Sequence, residues 1–350
     1  MVNAELLSAL DDLEREKGIE KEILFQAIES ALISAYRRNF ASAQNVRVRI
    51  DRASGATQVW AQKTVVAEVE DHRLEVGLAE ACEIRPGSIE GDIVEFEVTP
   101  KNFGRIAAQT AKQVIVQRIR EAERGLIYEE FIGREGDIVT GTVQRSERGL
   151  IYINLGRTEA IMMPGEQVSG ERLHLNEHVK LYVVEVKKTN KGPQIFVSRS
   201  HPGLIKRLFE LEVPEIHDGV VEIKGIAREP GARTKIAVWA EDPNVDPVGS
   251  CVGTKGTRVQ AIVQELHGEK LDIIRWDRDP TVFVANALSP AQVTEVVVEP
   301  DTRAARVVVP DNQLSLGIGK EGQNARLAAK LTGWKVDLRS ESQVSGGGLW

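Results

Sequence analysis

The apolar positions at the front of the chain recur with the spacing of helices. Leucine, isoleucine and alanine follow a helical period over residues 3–17 and again over residues 20–38, which predicts two amphipathic helices. Gly18 lies between them, where a helix stop is expected. The stretch VRVRIDRASGATQVWA then alternates apolar and polar residues across a Ser-Gly turn, and this pattern predicts a pair of strands.

One more strand and one long helix complete this part of the chain. The segment GDIVEFEVTP alternates as a strand does, and FGRIAAQTAKQVIVQRIREAERG carries apolar residues on successive helical turns. We therefore expect an α+β domain over residues 1–130. Its sequence shows no nucleotide-binding loop, no metal-ligand cluster and no catalytic constellation.

The hydrophobic period changes to two near Arg134. About five short alternating runs follow in residues 131–200, separated by turns that contain glycine. Their number and length suit a small β-barrel of the OB type.

One strand and the connecting turns of the predicted barrel carry candidate contacts with a single-stranded nucleic acid. Tyr152 faces away from Ile151 and Ile153, so its ring is either a platform for a base or an ordinary half-buried strand residue. Phe196 is expected in the core. Basic residues on the neighbouring turns would follow the phosphates. They are Arg145, Arg148, Lys187 and Lys188.

The chain from residue 201 onward contains an internal repeat. Each copy has the order helix, two strands, helix, Gly-x-x-Gly turn, helix, strand, over residues 201–277 and 278–342. The turns are Gly253–Gly256 and Gly319–Gly322. Such duplication favours two copies of one binding unit.

Each Gly-x-x-Gly turn predicts a clamp for phosphate. Glycine permits positive φ and a close approach of the ligand, while the helix behind the turn presents unpaired N–H groups and partial positive charge. A KH module holds about four nucleotides in this way, and the order of elements is that of type II KH domains. Glu321 is expected to turn its carboxylate away. The candidate RNA-binding residues are Gly253, Thr254, Lys255, Gly256, Arg258, Gly319, Lys320, Glu321, Gly322, Asn324 and Arg326.

Charge is distributed unevenly along the chain. The net charge of −7 over 350 residues divides into −6 for residues 1–133, +2 for residues 134–200 and −3 for the remainder. Ten acidic residues lie between Glu68 and Glu97. This segment is either solvated surface or an interface for a basic protein partner.

Signals for membranes and for bound groups are lacking in the sequence. No apolar run is long enough to cross a bilayer and the amino terminus differs from a signal peptide, so we expect a soluble, cytoplasmic protein. Cys82 and Cys251 lie far apart, without the spacing of a disulfide framework or a zinc site. We expect neither a metal nor a cofactor.

Long strings of residues, spread from the amino terminus to about residue 340, match one known family. They are ALISAYRR, FGRIAAQTAKQ, FELEVPEI, FVANALSPA and LSLGIGKEGQNARLAAKLTGWKVDL, in this order. In these strings the chain resembles the NusA family of bacterial transcription elongation, termination and antitermination factors. The expected fold is α+β and multidomain, with an N-terminal domain, an OB-fold barrel, two tandem KH domains and a disordered tail over residues 343–350.

The resemblance implies partners and a role. Residues 1–130 would dock on RNA polymerase near its RNA exit channel, and Arg105 and Arg118 are the expected contacts. The barrel and the KH units would form one surface for nascent RNA, altering pausing, termination and antitermination without enzymatic activity. Other antitermination factors are further implied partners, and we expect a monomer.

The residues alone leave two other functions open. An RNA-processing enzyme can also combine KH and OB modules, but it needs clustered carboxylates for metal ions, and the segment Glu68–Glu97 is the only candidate. A ribosome-associated KH protein would carry the same modules.

Overall fold

The computed structural model describes residues 2–40 and 45–345, and the chain divides into two compact units, Met1–Leu126 and Ile127–Trp350. In the first unit, the helices and the sheet enclose two apolar clusters, a larger one and a smaller one around Val65, and the central strand β2 pairs with β1, β3 and β4. The alternation predicted for β1 is confirmed, since Val46, Val48 and Ile50 are buried. The elements are α1 (Val2–Lys17), α2 (Lys21–Phe40), β1 (Asn45–Ile50), β2 (Thr57–Val66), β3 (Glu75–Gly77), α3 (Leu78–Ile84), β4 (Ile93–Glu97) and α4 (Phe103–Ile132).

The helix α4 ends later than the sequence predicts. The pattern predicts an end at Gly125, but the helix continues to Ile132. A glycine inside a helix costs about 1 kcal/mol relative to alanine. That cost is offset because Phe131 is buried in the barrel core, with Ile127 and Tyr128 packed beside it.

The predicted five-stranded barrel is confirmed. Its strands are β5 (Ile138–Glu147), β6 (Leu150–Asn154), β7 (Glu159–Met162), β8 (His178–Thr189) and β9 (Gly192–Ser198). They close in the order β5-β6-β7-β9-β8. Because strand residues alternate between the two faces, every second side chain points outward and is available to a ligand.

Two copies of the predicted KH order follow the barrel. In each copy the last two strands are parallel, as in β11 with β12 and β14 with β15. The first copy contains α5 (Pro202–Glu212), α6 (Pro214–His217), β10 (Val221–Glu229), β11 (Arg233–Ala240), α7 (Pro247–Val252), α8 (Thr257–Glu265) and β12 (Lys270–Arg275). The second contains α9 (Pro280–Ala287), β13 (Glu295–Glu299), β14 (Ala304–Val309), α10 (Leu314–Ile318), α11 (Gln323–Thr332) and β15 (Lys335–Ser340).

The predicted disordered tail differs from the structure at its start. A short helix, α12 (Glu341–Ser345), includes residues 343–345, and Ser342 donates from its hydroxyl and main-chain N–H to Asp311. Residues 346–350 lie outside the described part of the chain.

A buried lysine of the first KH copy forms an ion pair there and a hydrogen bond to the second copy. Lys235 of β11 is fully buried, and its Nζ donates to Asp272 Oδ2 at 3.0 Å and to the carbonyl oxygen of Ser289 in the second copy at 2.7 Å. Arg233 donates to the same carboxylate. Burial alone would raise the pKa of Asp272, but the hydrogen bonds from Arg233 and Lys235 hold it below its ordinary value.

Replacing Asp272 by asparagine is expected to destabilise the second unit by about 3 kcal/mol at pH 7, because Lys235 would stay buried without its counter-charge. A carboxyl group with a depressed native pKa contributes its full stability above its unfolded pKa, near 3.9, and loses it as pH falls through the native pKa. Urea unfolding at pH 7, 5, 4 and 3 should therefore show that the free energy of unfolding falls less with decreasing pH in the variant than in the wild type.

Asp337 is the matched control, because it takes the corresponding place on β15 and is 56% exposed in its pair with Arg339. Asp337→Asn should leave both the stability and its pH dependence nearly unchanged. If the free energy of unfolding fell equally with decreasing pH in the wild type and in Asp272→Asn, the lowered pKa assigned to Asp272 would be contradicted.

Candidate nucleic-acid interface

The first glycine of each turn occupies a backbone conformation that excludes other residues. Gly253 has φ +73° and ψ 174°, and Gly319 has φ +77° and ψ 172°. This region is essentially restricted to glycine. A Cβ on Gly319 would also lie 2.8 Å from the main-chain nitrogen of Asn324, and one on Gly253 would lie 2.8 Å from Cγ of Arg258. These glycines are therefore required by the fold of the turn.

The second glycine of each turn has room for a side chain, since a Cβ on Gly256 would make only an ordinary contact, 3.8 Å from Cγ1 of Val259. Gly256 and Gly322 are left-handed, with φ of +79° and +75°. A Cβ on Gly322 would meet no heavy atom of the described residues within 4 Å. The residues before them, Lys255 and Glu321, have φ of +54° and +55°. The two turns thus share one backbone path although only their glycines are identical.

The helices behind the turns begin without a side-chain cap, and their first N–H groups, those of Thr257 and Gln323, donate to the carbonyl oxygens of Thr254 and Lys320. Within the described residues, no side chain caps α8 at Gly256 or α11 at Gly322. Uncapped N–H groups and the positive end of the helix dipole favour an anion such as a phosphate. The exposed residues of the two turns surround these groups. They are Thr254, Lys255, Lys320 and Glu321.

Arg258 and Asn324, both predicted as RNA contacts, donate to main-chain carbonyl oxygens of the helices that precede the two turns. Each is the second residue after the second glycine of its turn. The Arg258 guanidinium donates to the carbonyl oxygen of Ser250 at 2.6 Å and pairs with Glu215 at 2.9 Å. Asn324 is 2% exposed, and its amide donates to the carbonyl oxygens of Gly317 and Leu288, both at 3.0 Å. Both side chains brace the preceding helix against the following one.

Asn324→Ala is expected to loosen the second turn, because two buried carbonyl oxygens would lose their donor at a cost of roughly 1–3 kcal/mol. Amide hydrogen exchange over Gly319–Gly322 should accelerate, and RNA affinity should fall a fewfold. Asn286→Ala is the control, since Asn286 makes one exposed bond to the carbonyl oxygen of Arg275. Unchanged exchange in the turn would contradict a bracing role.

Arg326 is held at the side of the second turn by the first KH copy. Its Nε donates to Glu229 Oε1 at 2.7 Å, and Gln323 donates to the other carboxylate oxygen at 2.8 Å. These two hydrogen bonds lower the pKa of Glu229, and the bond from Arg326 has the larger effect. Arg326 also donates to the carbonyl oxygen of Glu321 at 3.2 Å and stays 48% exposed. It can therefore reach a ligand without leaving its partner.

An outward row of side chains crosses the barrel. Tyr152 pairs in register with Arg145 on one side and Ile161 on the other, and Ile161 pairs with Phe196. The Arg145 guanidinium carbon lies 3.9 Å from the centroid of the Tyr152 ring, and Arg145 also pairs with Glu159. One side of the Tyr152 ring is thus already occupied by a cation. The row still offers aromatic surface and positive charge together.

The prediction that Phe196 lies in the core is wrong. Ile195 and Val197 fill the barrel core, so Phe196 between them must face outward. Lys187 Nζ lies 5.3 Å from its ring centroid. The signal was present in the sequence, because QIFVS repeats the pattern of LIYIN, in which the aromatic residue between two aliphatic ones was assigned to the outer face.

The other predicted basic contacts are dispersed. Arg148 lies exposed in the turn between β5 and β6, with φ +52°. Lys188 Nζ lies 5.7 Å from the ring centroid of Tyr128 on α4. In the first unit, Arg105 is exposed and Arg118 pairs with Glu121 at 3.0 Å. Thirteen residues separate these two arginines on α4, which places them roughly 20 Å apart and on different sides of the helix.

The described residues 2–40 and 45–345 show no group of three or more His, Cys, Asp or Glu side chains that could hold a metal ion. Among the same residues, no helix has the length and apolar character needed to cross a bilayer.

Comparison with known proteins identifies four consecutive segments. The NusA N-terminal domain matches residues 5–125, the S1 RNA binding domain residues 133–198, the NusA-like first KH domain residues 199–276 and the NusA-like second KH domain residues 280–345.

Two relatives match the chain along nearly its whole length, and both are named transcription termination/antitermination protein NusA. The protein of Bacillus subtilis is 60% identical over 349 residues, which cover 100% of this chain and 94% of the relative. That of Halalkalibacterium halodurans is 60% identical over 348 residues, covering 99% and 91%. A solution structure of the N-terminal domain of B. subtilis NusA is 63% identical and covers 35% of this chain and 99% of that one, with a TM-score of 0.33.

Proposed function

Because the chain belongs to the NusA family of transcription termination/antitermination proteins, we propose that it binds nascent single-stranded RNA through its barrel and KH copies and RNA polymerase through its first unit. In this role it modulates pausing, termination and antitermination and catalyses no reaction of its own. It acts as a monomer, near the RNA exit channel, alongside other antitermination factors.

The observation that carries the RNA proposal is the shared geometry of the two turns. Both combine a glycine at φ near +75° and ψ near 173°, a left-handed second glycine and an uncapped helix start. Such a turn lets a ribose-phosphate strand contact main-chain N–H groups directly. Lys255 and Lys320 are the proposed phosphate cations at its rim.

The outward row of the barrel supplies the second kind of contact. Tyr152 and Phe196 offer ring surface, while Arg145 and Lys187 lie against those rings. Base stacking on such side chains tolerates many sequences, because every base has a π-face. We propose that the barrel binds a neighbouring stretch of the same transcript.

Binding of labelled oligoribonucleotides should be measured by fluorescence anisotropy at several salt concentrations. Affinity is expected to fall as salt rises, because each phosphate contact releases counterions. Salt-independent binding would overturn the proposed phosphate clamps.

Crosslinking to a paused polymerase complex with a long transcript tests both partners at once. We expect RNA crosslinks in the second unit and polymerase crosslinks in the first. Migration with ribosomes instead of polymerase on a gradient would favour the ribosome-associated alternative, and reproducible shortening of labelled RNA with Mg²⁺ would favour the processing enzyme.

A further inference from the structure

The loop between β7 and β8 of the barrel, residues 163–177, packs against the first KH copy. One contact is at Gly231, in the turn between β10 and β11, where an added Cβ would lie 2.5 Å from Cγ1 of Val168 and 3.2 Å from the carbonyl oxygen of Ser169. Another contact is at His267, in the turn between α8 and β12, which faces two carboxylates of the same loop. We call residues 163–177 the β7–β8 loop.

His267 lies between two acidic side chains of the β7–β8 loop. Its Nδ1 lies 3.1 Å from Oε1 of Glu171, and its Nε2 lies 3.3 Å from Oε1 of Glu177. The Glu171 side chain is 5% exposed and that of Glu177 is 26% exposed. The main-chain N–H of His174 donates to the other oxygen of Glu177 at 2.7 Å and holds this carboxylate in place. Each ring nitrogen of His267 therefore faces a carboxylate oxygen.

A neutral imidazole fits this arrangement poorly. In the neutral ring only one nitrogen carries a proton, and the other presents a lone pair. At His267 that lone pair would face a carboxylate oxygen, which is also an acceptor. In the imidazolium form both nitrogens carry protons, so each carboxylate meets a donor. The geometry thus favours the charged ring.

The charges around His267 lead to the same conclusion. Its two carboxylate partners belong to a network of ion pairs that continues through the barrel into α8, and this network holds three carboxylates and two cations. An imidazolium at His267 brings the network to neutrality. Its members are Glu171, Glu177, Glu265, Arg199 and Lys180.

We propose that His267 is a proton-dependent link between the barrel and the first KH copy. With its proton the ring pairs with Glu171 and Glu177 together, and without it one of the two carboxylates loses its donor from the ring. Histidine is the side chain whose charge ordinarily changes between pH 5 and 8. By linkage, a contact that needs the bound proton is strongest at the acidic end of this range and is lost as pH rises.

The link joins the barrel, which carries the outward row, to the copy that carries the turn Gly253–Gly256. Its loss would let these two surfaces, both proposed to bind RNA, move relative to each other. The link itself is independent of RNA and can be tested on the protein alone.

Hydrogen exchange of the β7–β8 loop in the full chain tests the link. His267→Asn cannot take up a proton, but asparagine tolerates the left-handed φ of +53° at this position. We expect it to lower the protection of main-chain N–H groups in residues 166–180 about five- to tenfold at pH 5.5 and less than about twofold at pH 8. Both proteins are compared at the same pH, because they share the other titratable side chains that line this cleft. These are His178 of β8 and Glu212 of α5.

His174→Gln is the matched control, because His174 lies exposed in the same loop. It should change protection less than about twofold at either pH. Glu177→Gln tests the link from the other side and leaves His267 intact. It should lower protection at pH 5.5 to a similar extent, and the double variant with His267→Asn should show little further loss. Equal effects of His267→Asn at both pH values, or a loss confined to pH 8, would overturn the link.

Discussion

Replacing Gly256 and Gly322 together by aspartate is expected to lower RNA affinity roughly 100-fold, about tenfold for each turn. Neither position would bring a Cβ into a clash, so the new side chain fits, but it places a carboxylate at the uncapped start of α8 or α11 where a phosphate would bind. The carboxylate would occupy the N–H groups itself and repel the strand. Anisotropy titration with a ten-nucleotide RNA measures the effect.

Gly333→Asp is the matched control for this experiment. Gly333 ends α11 with φ +75° and ψ 13°, the same values as Gly322, and a Cβ there would also meet no described heavy atom within 4 Å. The substitution therefore carries the same left-handed strain and charge at a place away from the turns. If Gly333→Asp weakened RNA binding as much as Gly322→Asp, the turns would lose their assignment as clamps.

Arg199→Met is expected to destabilise the second unit by about 3–5 kcal/mol. The Arg199 side chain is 1% exposed, and it bonds to the carboxylate of Glu171, which is 5% exposed, and to the carboxylate and carbonyl of Glu265. It also donates to the carbonyl oxygen of Lys180 at 2.9 Å. These partners belong to the barrel and to α8, so one side chain joins the barrel to the first KH copy. Methionine keeps the apolar stem but removes the arginine charge from the buried Glu171 carboxylate, which keeps only the contact of its Oε1 with Nδ1 of His267 at 3.1 Å.

Urea unfolding followed by tryptophan fluorescence measures this loss. Adding Glu171→Gln to Arg199→Met should recover part of the stability, because it removes the uncompensated charge. Arg172→Met, at an exposed neighbouring position, should change the free energy of unfolding by no more than about 0.5 kcal/mol. A double variant no more stable than the single one would contradict burial of a lone carboxylate as the cause.

The parts of this molecule that the sequence predicts are those set by local patterns. Hydrophobic periodicity located the five barrel strands and both KH copies, and paired glycines located the two turns between α7 and α8 and between α10 and α11. Glycine spacing was informative because the conformation of Gly253 and Gly319 admits no other residue.

The features that the sequence did not predict depend on contacts between residues that lie far apart in the chain. Asn324 resembles a surface residue in a polar helix start, and only the positions of the carbonyl oxygens of Gly317 and Leu288 show that its amide is buried. Arg199 likewise has no local signal, since Glu171 and Glu265 meet it from distant segments. The alternation of side chains could have predicted the outward orientation of Phe196. Its two aliphatic neighbours, however, did not show which face of the strand is buried.

The bonds of Gln323 and Arg326 to Glu229, with that of Lys235 to Ser289, fix the second turn relative to the first. If both turns bind the transcript as proposed, they form two binding sites at a constant separation. An RNA segment long enough to fill both sites would then bind with the avidity of linked sites, whereas one shorter by a few nucleotides would engage only one. The protein would then discriminate among transcripts by the length of unpaired RNA they expose.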